Sequence, residues 1–193
     1  MRNPYAIGKT VYFRAPTADD VEGNWHQWFS DPEITRHLAD RWWPNTVEDQ
    51  TRFFESIQRS RDRLVLSICD RETDEHVGVC SLGAINWVHR YADIALVIGE
   101  KKYRNGAVAI ESLALLVDIA FNRLNLLNLK SLHVSTNPFT PQLERIFGFI
   151  EIGRYRQLIY CDGNYVDGVA TQLPRTDWEA RNRKPLQQPG SNH

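Results

Sequence analysis

Residues Ile98–Ser112 read IGEKKYRNGAVAIES. An apolar run ends at Ile98, and a polar turn carrying Asn105-Gly106 follows. The small residues Ala107 and Ala109 then open a segment in which Ile110, Leu113, Ala114, Val117, Phe121 and Leu124 recur at three- and four-residue steps. That period predicts a helix over Val108–Leu124. The first amides of a helix lack backbone partners and carry partial positive charge, so a turn of small residues there can cradle an anion. Lys101, Lys102 and Arg104 add cationic side chains beside it. The same residues also suit a plain strand-to-helix connection built on an Asn-Gly turn. This stretch alone leaves both readings open.

Upstream lie three strand-like runs, Leu64–Cys69, His76–Ile85 and Ala92–Ile98, separated by the turn-forming stretches RETDE and NWVHR. Before them Thr10–Arg14 reads as a short strand. Thr17–Ser30 reads as a helix capped by Thr17, with Asp19 and Asp20 in its first turn. Asp31-Pro32 restarts a short helix through Leu38. A loop carrying Trp42, Trp43 and Pro44 leads into a helix from about Thr46 to Arg61. Downstream, Leu129–Ser135 reads as a strand and Thr140–Phe147 as a short helix. Gly153–Tyr160 and Val166–Leu173 close the chain as a pair around Asp162-Gly163. This order predicts an α/β (α+β) architecture, a mixed central sheet with helices on both faces, because the crossovers are too few for a purely parallel doubly wound sheet. One domain over residues 1–183 is expected, with a polar, Pro-punctuated C-terminal tail at 184–193.

The composition narrows the function classes. With 23 Lys+Arg against 24 Asp+Glu in 193 residues, the net charge is −1. A polybasic nucleic-acid or membrane-surface partner is therefore not expected, and any anionic ligand must be held by local geometry. Cys69, Cys80 and Cys161 are far apart and lack CxxC spacing, so they read as reduced thiols of a cytoplasmic protein with no metal site. The apolar stretch Leu113–Ala120 is broken by Asp118, and no run reaches membrane-spanning length.

Four short motifs, in order and spanning about residues 10 to 178, carry a family resemblance. Arg104-Asn105-Gly106-Ala107-Val108-Ala109 is similar to the Gln/Arg-x-x-Gly-x-Gly/Ala pyrophosphate turn of the GNAT N-acyltransferase superfamily. Ser30-Asp31-Pro32-Glu33-Ile34-Thr35 resembles the Asn/Ser-Asp-Pro-Glu-Val-Thr turn of the branch acting on ribosomal-protein N-termini, small amines and amino-sugars. Asn137-Pro-Phe-Thr140 running into Leu143–Phe149 is similar to that branch's Asn-x-x-Ser…Glu-Lys-x-Gly-Phe segment. Gly153-Arg154 followed by Asp162–Asp167 resembles its terminal hairpin. Ala107 departs from the pattern by standing where the family has its first motif glycine, with Gly106 next to it.

The resemblance implies a GNAT fold in which strands Ala92–Ile98 and Leu129–Ser135 are neighbours that splay apart. Acetyl-coenzyme A would be the co-substrate. Backbone around Val97, Ile98 and Gly99 would pair with the pantetheine arm, and the amides of Arg104, Asn105, Gly106, Ala107, Val108 and Ala109 would hold the pyrophosphate. Asn137 and Thr140 would flank the arm. The reaction implied is acetyl transfer to a primary amine of a small molecule or peptide. Two alternatives stay open: a nucleotide-linked amino-sugar acceptor, and a non-catalytic coenzyme A sensor or scaffold. A homodimer is compatible with either.

The attacking amine must be neutral. For a lysine-like amine of pKa about 10.4, selecting that form at neutral pH costs about 4.6 kcal/mol. Aligning two bound reactants contributes about 7–11 kcal/mol, so positioning can outweigh acid–base help. Candidate bases on the two splayed strands are His133, whose unperturbed pKa lies near neutrality, and Asp93. Either can instead serve the sheet, His133 through a neighbouring polar group and Asp93 through a cross-strand ion pair with an arginine. Glu144 occupies the position of the family's tyrosine acid; the competing reading is a solvated helix face. Trp25 and Trp28, three apart, suit core packing, whereas Trp42 or Trp43 could line an acceptor pocket with Glu33, His37 and Arg41 nearby.

Overall fold

The computed structural model describes residues 1–38 and 42–182, so Arg41 and the tail from Arg183 onward lie outside the described residues. Eight strands form one sheet in the order β1-β2-β3-β4-β5-β6-β8-β7. They are β1 (Ala6–Ile7), β2 (Val11–Arg14), β3 (Leu64–Asp70), β4 (His76–Asn86), β5 (Tyr91–Ile98), β6 (Asn128–Val134), β7 (Ile150–Cys161) and β8 (Asn164–Pro174). All neighbouring pairs are antiparallel except β5 and β6. That parallel pair is joined by α5 (Ala107–Asp118), which continues through a wider turn over Ile119–Arg123.

Residues alternate between two apolar layers, as a strand's period of two requires. Leu66, Ile68, Leu82, Ala92, Leu129 and Leu173 face α5, packing on Val108, Leu113, Leu116 and Val117. Val65, Val79 and Val97 face the other way, against Val21, Trp25, Trp28 and the partly buried Phe53 and Ile57. Phe53 and Ile57 belong to α4 (Val47–Gln58), which is opened by a Thr46–Asp49 capping box. Helices therefore cover both faces, as the sequence predicts. Trp25 and Trp28 are 1% and 3% exposed, in agreement with their core reading.

The helix expected over Thr17–Ser30 is instead broken. Ala18–Asp20 (α1) and His26–Trp28 (α2) flank a wide segment in which Gly23 leaves helical dihedrals (φ −77°, ψ −134°). Glycine weakens a helix interior, and here it sets the break. Pro32–Thr35 (α3) is shorter than expected and is capped by Asp31, whose carboxylate accepts from the Glu33 amide. Thr140–Phe147 (α6) has the expected bounds and ends at the left-handed Gly148. A last helix, α7 (Arg175–Asn182), lays Trp178 on Phe121 at 5.2 Å between ring centroids.

The three cysteines are free. Among the described residues no helix is long and apolar enough to cross a membrane.

Candidate active site

β5 and β6 pair only over Tyr91↔Asn128, Ala92↔Leu129 and Asp93↔Lys130. Beyond those residues the two strands part, while β5 keeps its pairing with β4 to Ile98 and β6 keeps its pairing with β8 to Val134. The result is a V-shaped opening inside the sheet, closed at Asp93 and open toward Ile98 and His133.

The end of β5 is fixed by packing and by one arginine. The Gly99 amide donates to Val77 O at 2.9 Å, and the Arg104 guanidinium donates to Gly99 O at 2.7 Å and to Ile98 O at 3.2 Å. Gly99 lies so close to the Trp28 ring that a Cβ there would sit 2.0 Å from it. The peptide groups of Gly99 and the Arg104 side chain are thus committed to the fold. Val97 and Ile98 pack on opposite faces, in the Trp28 and α5 layers respectively. Glu33, a sequence candidate for the acceptor, reaches this turn instead, within 3.7 Å of Lys101 and 3.6 Å of Arg104.

Gly106 opens α5 at φ +80°, a left-handed value that suits glycine, and it has no side chain to cap the helix. Asn105 Oδ1 accepts from the Val108 amide at a long 3.5 Å. A twelve-residue helix thus begins on a turn of small residues, Gly106, Ala107 and Ala109, whose one side-chain cap is that long Asn105 contact. Such a turn fits a phosphate group, and the splayed edge fits an amide-bearing arm. On the other side, Asn137 and Thr140 bond to each other. Asn137 Oδ1 accepts from the amides of Phe139 (2.9 Å) and Thr140 (3.2 Å), and its Nδ2 donates to Thr140 Oγ1 at 2.8 Å. The pair caps α6.

The two bases proposed from sequence are separated. Asp93 sits at the closed end of the V, exposed, with Lys130 Nζ 3.1 Å from its carboxylate. The expected cross-strand ion pair is present, with a lysine as partner instead of an arginine. His133 lies three residues beyond the last β5–β6 pair, on the opposite face, and is 7% exposed. Glu144 of α6 is buried with it: His133 Nδ1 is 3.4 Å from Glu144 Oε1, which also accepts from Thr171 Oγ1 at 2.7 Å. The solvated-helix reading of Glu144 is therefore wrong, because the helix packs this side onto β6 and β8. His133 Nδ1 is buried without a hydrogen-bond partner among the described residues, which leaves the Glu144 carboxylate beside it. Thr171 was not singled out from the sequence. Its signal is a polar residue between the inward-facing Val169 and Leu173.

A groove of about 290 Å³ lies between the N-terminal helical segment and the β7–β8 turn. Phe29, Pro32, Trp42, Trp43 and Pro44 form one wall, and Asp162 at the β7–β8 turn forms the other. Trp42 is 48% and Trp43 85% exposed, and Trp42 continues into an aromatic ladder with Tyr160 (5.6 Å) and Tyr165 (5.2 Å from Tyr160). His37, half-buried, follows α3 in the same N-terminal region and is not among the residues lining the groove.

Beneath the Trp28 layer is a buried polar cluster that sequence reading missed. Arg14 donates to both oxygens of Asp20 at 2.6 Å, Ser67 Oγ and the Thr17 amide each donate to Asp20 at 2.9 Å, and His76 Nδ1 is 3.2 Å from it. Burial alone would raise the Asp20 carboxyl, but Arg14 and His76 outweigh it and hold the group below the usual carboxylate range. Burial pushes the His76 imidazole down to about 4.

A helix that opens on a small-residue turn, beside a sheet parted between two parallel strands, is the architecture of an acyl-coenzyme A-dependent transferase. Residues 10–149 match the model of the acetyltransferase (GNAT) domain, and the chain belongs to that family. It is an N-acetyltransferase that uses acyl-coenzyme A. It is 28% identical over 158 residues to the uncharacterized N-acetyltransferase p20 of Bacillus licheniformis, covering 79% of this chain and 86% of that one. It is 24% identical over 162 residues to spermidine N(1)-acetyltransferase of Escherichia coli K12, covering 84% and 85%. The fold is similar to that of Vibrio cholerae spermidine N-acetyltransferase in complex with CoA and spermine. The TM-score is 0.81 at 17% identity, over 89% of this chain and 99% of that one.

Proposed function

We propose that the chain transfers acetyl from acetyl-coenzyme A to the primary amine of a small molecule by direct attack within the β5–β6 opening. The observation that carries this reading is the V itself, with the α5 turn at its open end and the buried His133–Glu144–Thr171 group on its β6 side. The amides of Asn105–Ala109 would hold the pyrophosphate and the open edge of β5 near Val97 the pantetheine arm, while Asn137 and Thr140 shape the α6 side. Bound there, the co-substrate supplies an activated acetyl group.

The acceptor nitrogen replaces the thiol on the acyl carbon, so nitrogen loses one proton and sulfur gains one. His133 relays that proton, directly or through water, and Glu144, itself held by Thr171, fixes the imidazole. Asp93, paired with Lys130 at the closed end of the V, stands apart from this role. Relatives named for spermidine support a small amine as the acceptor class.

Thiol release from acetyl-coenzyme A, followed with a panel of primary amines, tests the reading, with coenzyme A binding measured in parallel by calorimetry. Amine-dependent thiol release is expected. Binding heat without turnover on any amine would leave the sensor alternative; no heat at millimolar coenzyme A would overturn both.

A further inference from the structure

Glu33 stands between the two substrates of the proposed reaction. It belongs to α3, whose Pro32 and Thr35 line the groove at Trp42. Its carboxylate nevertheless reaches the turn in front of α5, 3.7 Å from Lys101 Nζ and 3.6 Å from Arg104 Nη1. The two cations are held differently. Arg104 is partly buried and fixed by the carbonyls of Ile98 and Gly99. Lys101 is 82% exposed and, among the described residues, meets no other carboxylate.

Neither contact is short enough for a hydrogen bond, and an exposed pair of this kind contributes little to stability. Lys101 is therefore free to exchange Glu33 for a stronger anion. The pyrophosphate of coenzyme A, resting on the α5 turn that Lys101 and Arg104 precede, is such an anion. Its charge would also repel Glu33, since screening at about 0.1 M salt acts only beyond about 10 Å. The backbone of α3 stays in place, because Asp31 accepts from the Glu33 amide at 2.8 Å and from Thr35 Oγ1 at 2.9 Å. Only the Glu33 side chain has to move. An acceptor amine of pKa about 10.4 arrives as an ammonium and needs an anion on leaving water.

We infer that Glu33 couples the two binding steps: in the free protein it holds Lys101 back from the α5 turn, and once the phosphates of coenzyme A take that lysine, the released carboxylate receives the ammonium of the acceptor. This rests on the acetyltransferase reading above. Coenzyme A then binds first and raises the affinity for the amine. A Glu33 that merely propped Arg104 would act in the opposite sense, and its loss would weaken coenzyme A binding.

Calorimetry with coenzyme A compares the wild type with Glu33→Gln, Lys101→Met and the double variant. Glu33→Gln is expected to tighten binding about twofold to fivefold at low salt, the scale of one exposed ion pair, and to gain much less at about 0.5 M salt. In the Lys101→Met background the same change should gain little, because no lysine is left to release. The KM for whichever primary amine of the panel is turned over fastest should rise about tenfold in Glu33→Gln, the scale of one hydrogen bond to a charged group. Glu33→Ala should repeat each effect, and all variants should melt at the wild-type temperature. Unchanged or weaker coenzyme A binding in the Glu33 variants, an equal gain without Lys101, or an unchanged amine KM would each overturn the inference. Absence of coenzyme A binding by the wild type would instead overturn the acetyltransferase reading.

Discussion

Replacing Gly99 by alanine isolates the contact that fixes the end of β5. The new Cβ would lie 2.0 Å from Trp28 Cδ2 and 2.2 Å from Cε2. Carbon atoms pack at about 3.5–4.0 Å, so the ring or the strand must retreat by about 1.5 Å. Trp28 has little room. It is 3% exposed, its ring lies 4.8 Å from that of His76, and its Nε1 donates to Glu100 Oε1 at 3.1 Å. Overpacking of this kind costs about 1–3 kcal/mol. At about 2–4 °C per kcal/mol for a chain of this size, the melting temperature should fall by about 2–12 °C.

Gly83→Ala is the matched control. A Cβ there meets nothing within 4 Å, so the variant should melt at or slightly above the wild-type temperature. Differential scanning fluorimetry compares the two, and calorimetry with coenzyme A follows the site. If the strand end carries the co-substrate, Gly99→Ala should also weaken binding several-fold, because Gly99 O anchors the Arg104 guanidinium at 2.7 Å. A Gly99→Ala variant as stable as Gly83→Ala would refute the packing argument. A destabilised variant with unchanged affinity would refute the link from this contact to the site.

The remaining predictions concern protons and the helix turn. The folded His76 imidazole is held near 4, so between pH 6.5 and 4 the unfolded chain takes up a proton that the folded chain does not. Stability should therefore fall by about 3 kcal/mol as pH drops through that window. His76→Gln should flatten the slope, and urea melts at pH 7 and 4.5 showing equal losses in both proteins would contradict it. Asp20, with its lowered pKa, loses its contribution only as pH falls further, through its folded pKa, so acid loss should persist there in the His76 variant. His133→Gln should lower kcat by about 10²–10⁴-fold at neutral pH and recover toward the amine's own pKa. Glu144→Gln, which keeps an acceptor for Thr171, should lower kcat with KM for acetyl-coenzyme A within about twofold, and a KM effect alone would count against positioning. Gly106→Ala should weaken coenzyme A binding about tenfold, since an L side chain is strained at φ +80°, whereas Ala107→Gly should change it little; calorimetry showing the reverse order would move the cradle to Ala107.

Local pattern carried most of the fold. The long period from Ile110 to Leu124, the alternation in β3 to β5 and the Asp162-Gly163 turn each placed an element within a few residues of its observed bounds. The two-residue β1 is too short to leave a period. The polar α7, RTDWEARN, has one apolar anchor in Trp178, so its helical state depends on Phe121, far away in sequence. The site was legible as a set of positions and not as a set of contacts. Glu144 sits beside Arg145 in a short charged stretch, and only the meeting of α6 with β6 and β8 buries it against His133 and Thr171. Gly99 and Trp28 are likewise 71 positions apart, so their contact has no local signature. The cofactor-site candidates came from a strand end, a helix start and the capping motif of α6, and within each group neighbours in sequence are neighbours in space. Glu33 was local too, and it turned toward Lys101 and Arg104 because two cations offered it more than the groove did.

The parity of the strands supplies an argument about the proton that no single residue does. Leu129 and His133 on β6, with Leu173, Thr171 and Val169 opposite them on β8, point to the face covered by α5 and α6. Asp93 and Val97 on β5 point to the Trp28 face, where the groove at Trp42 lies. A sheet separates these two environments everywhere except where its strands part. An amine entering from the Trp28 side would meet a thioester whose phosphates the α5 turn holds on the other. The transferred proton must then cross at the V. Asp93 stands at the last paired position, tied to Lys130, where the sheet is still closed. His133 stands past that point, with the Glu144 carboxylate 3.4 Å from its Nδ1. Position alone thus favours the histidine as the relay, and moving an imidazole to the closed end, in an Asp93→His, His133→Gln double variant, should fail to restore the turnover lost from His133→Gln.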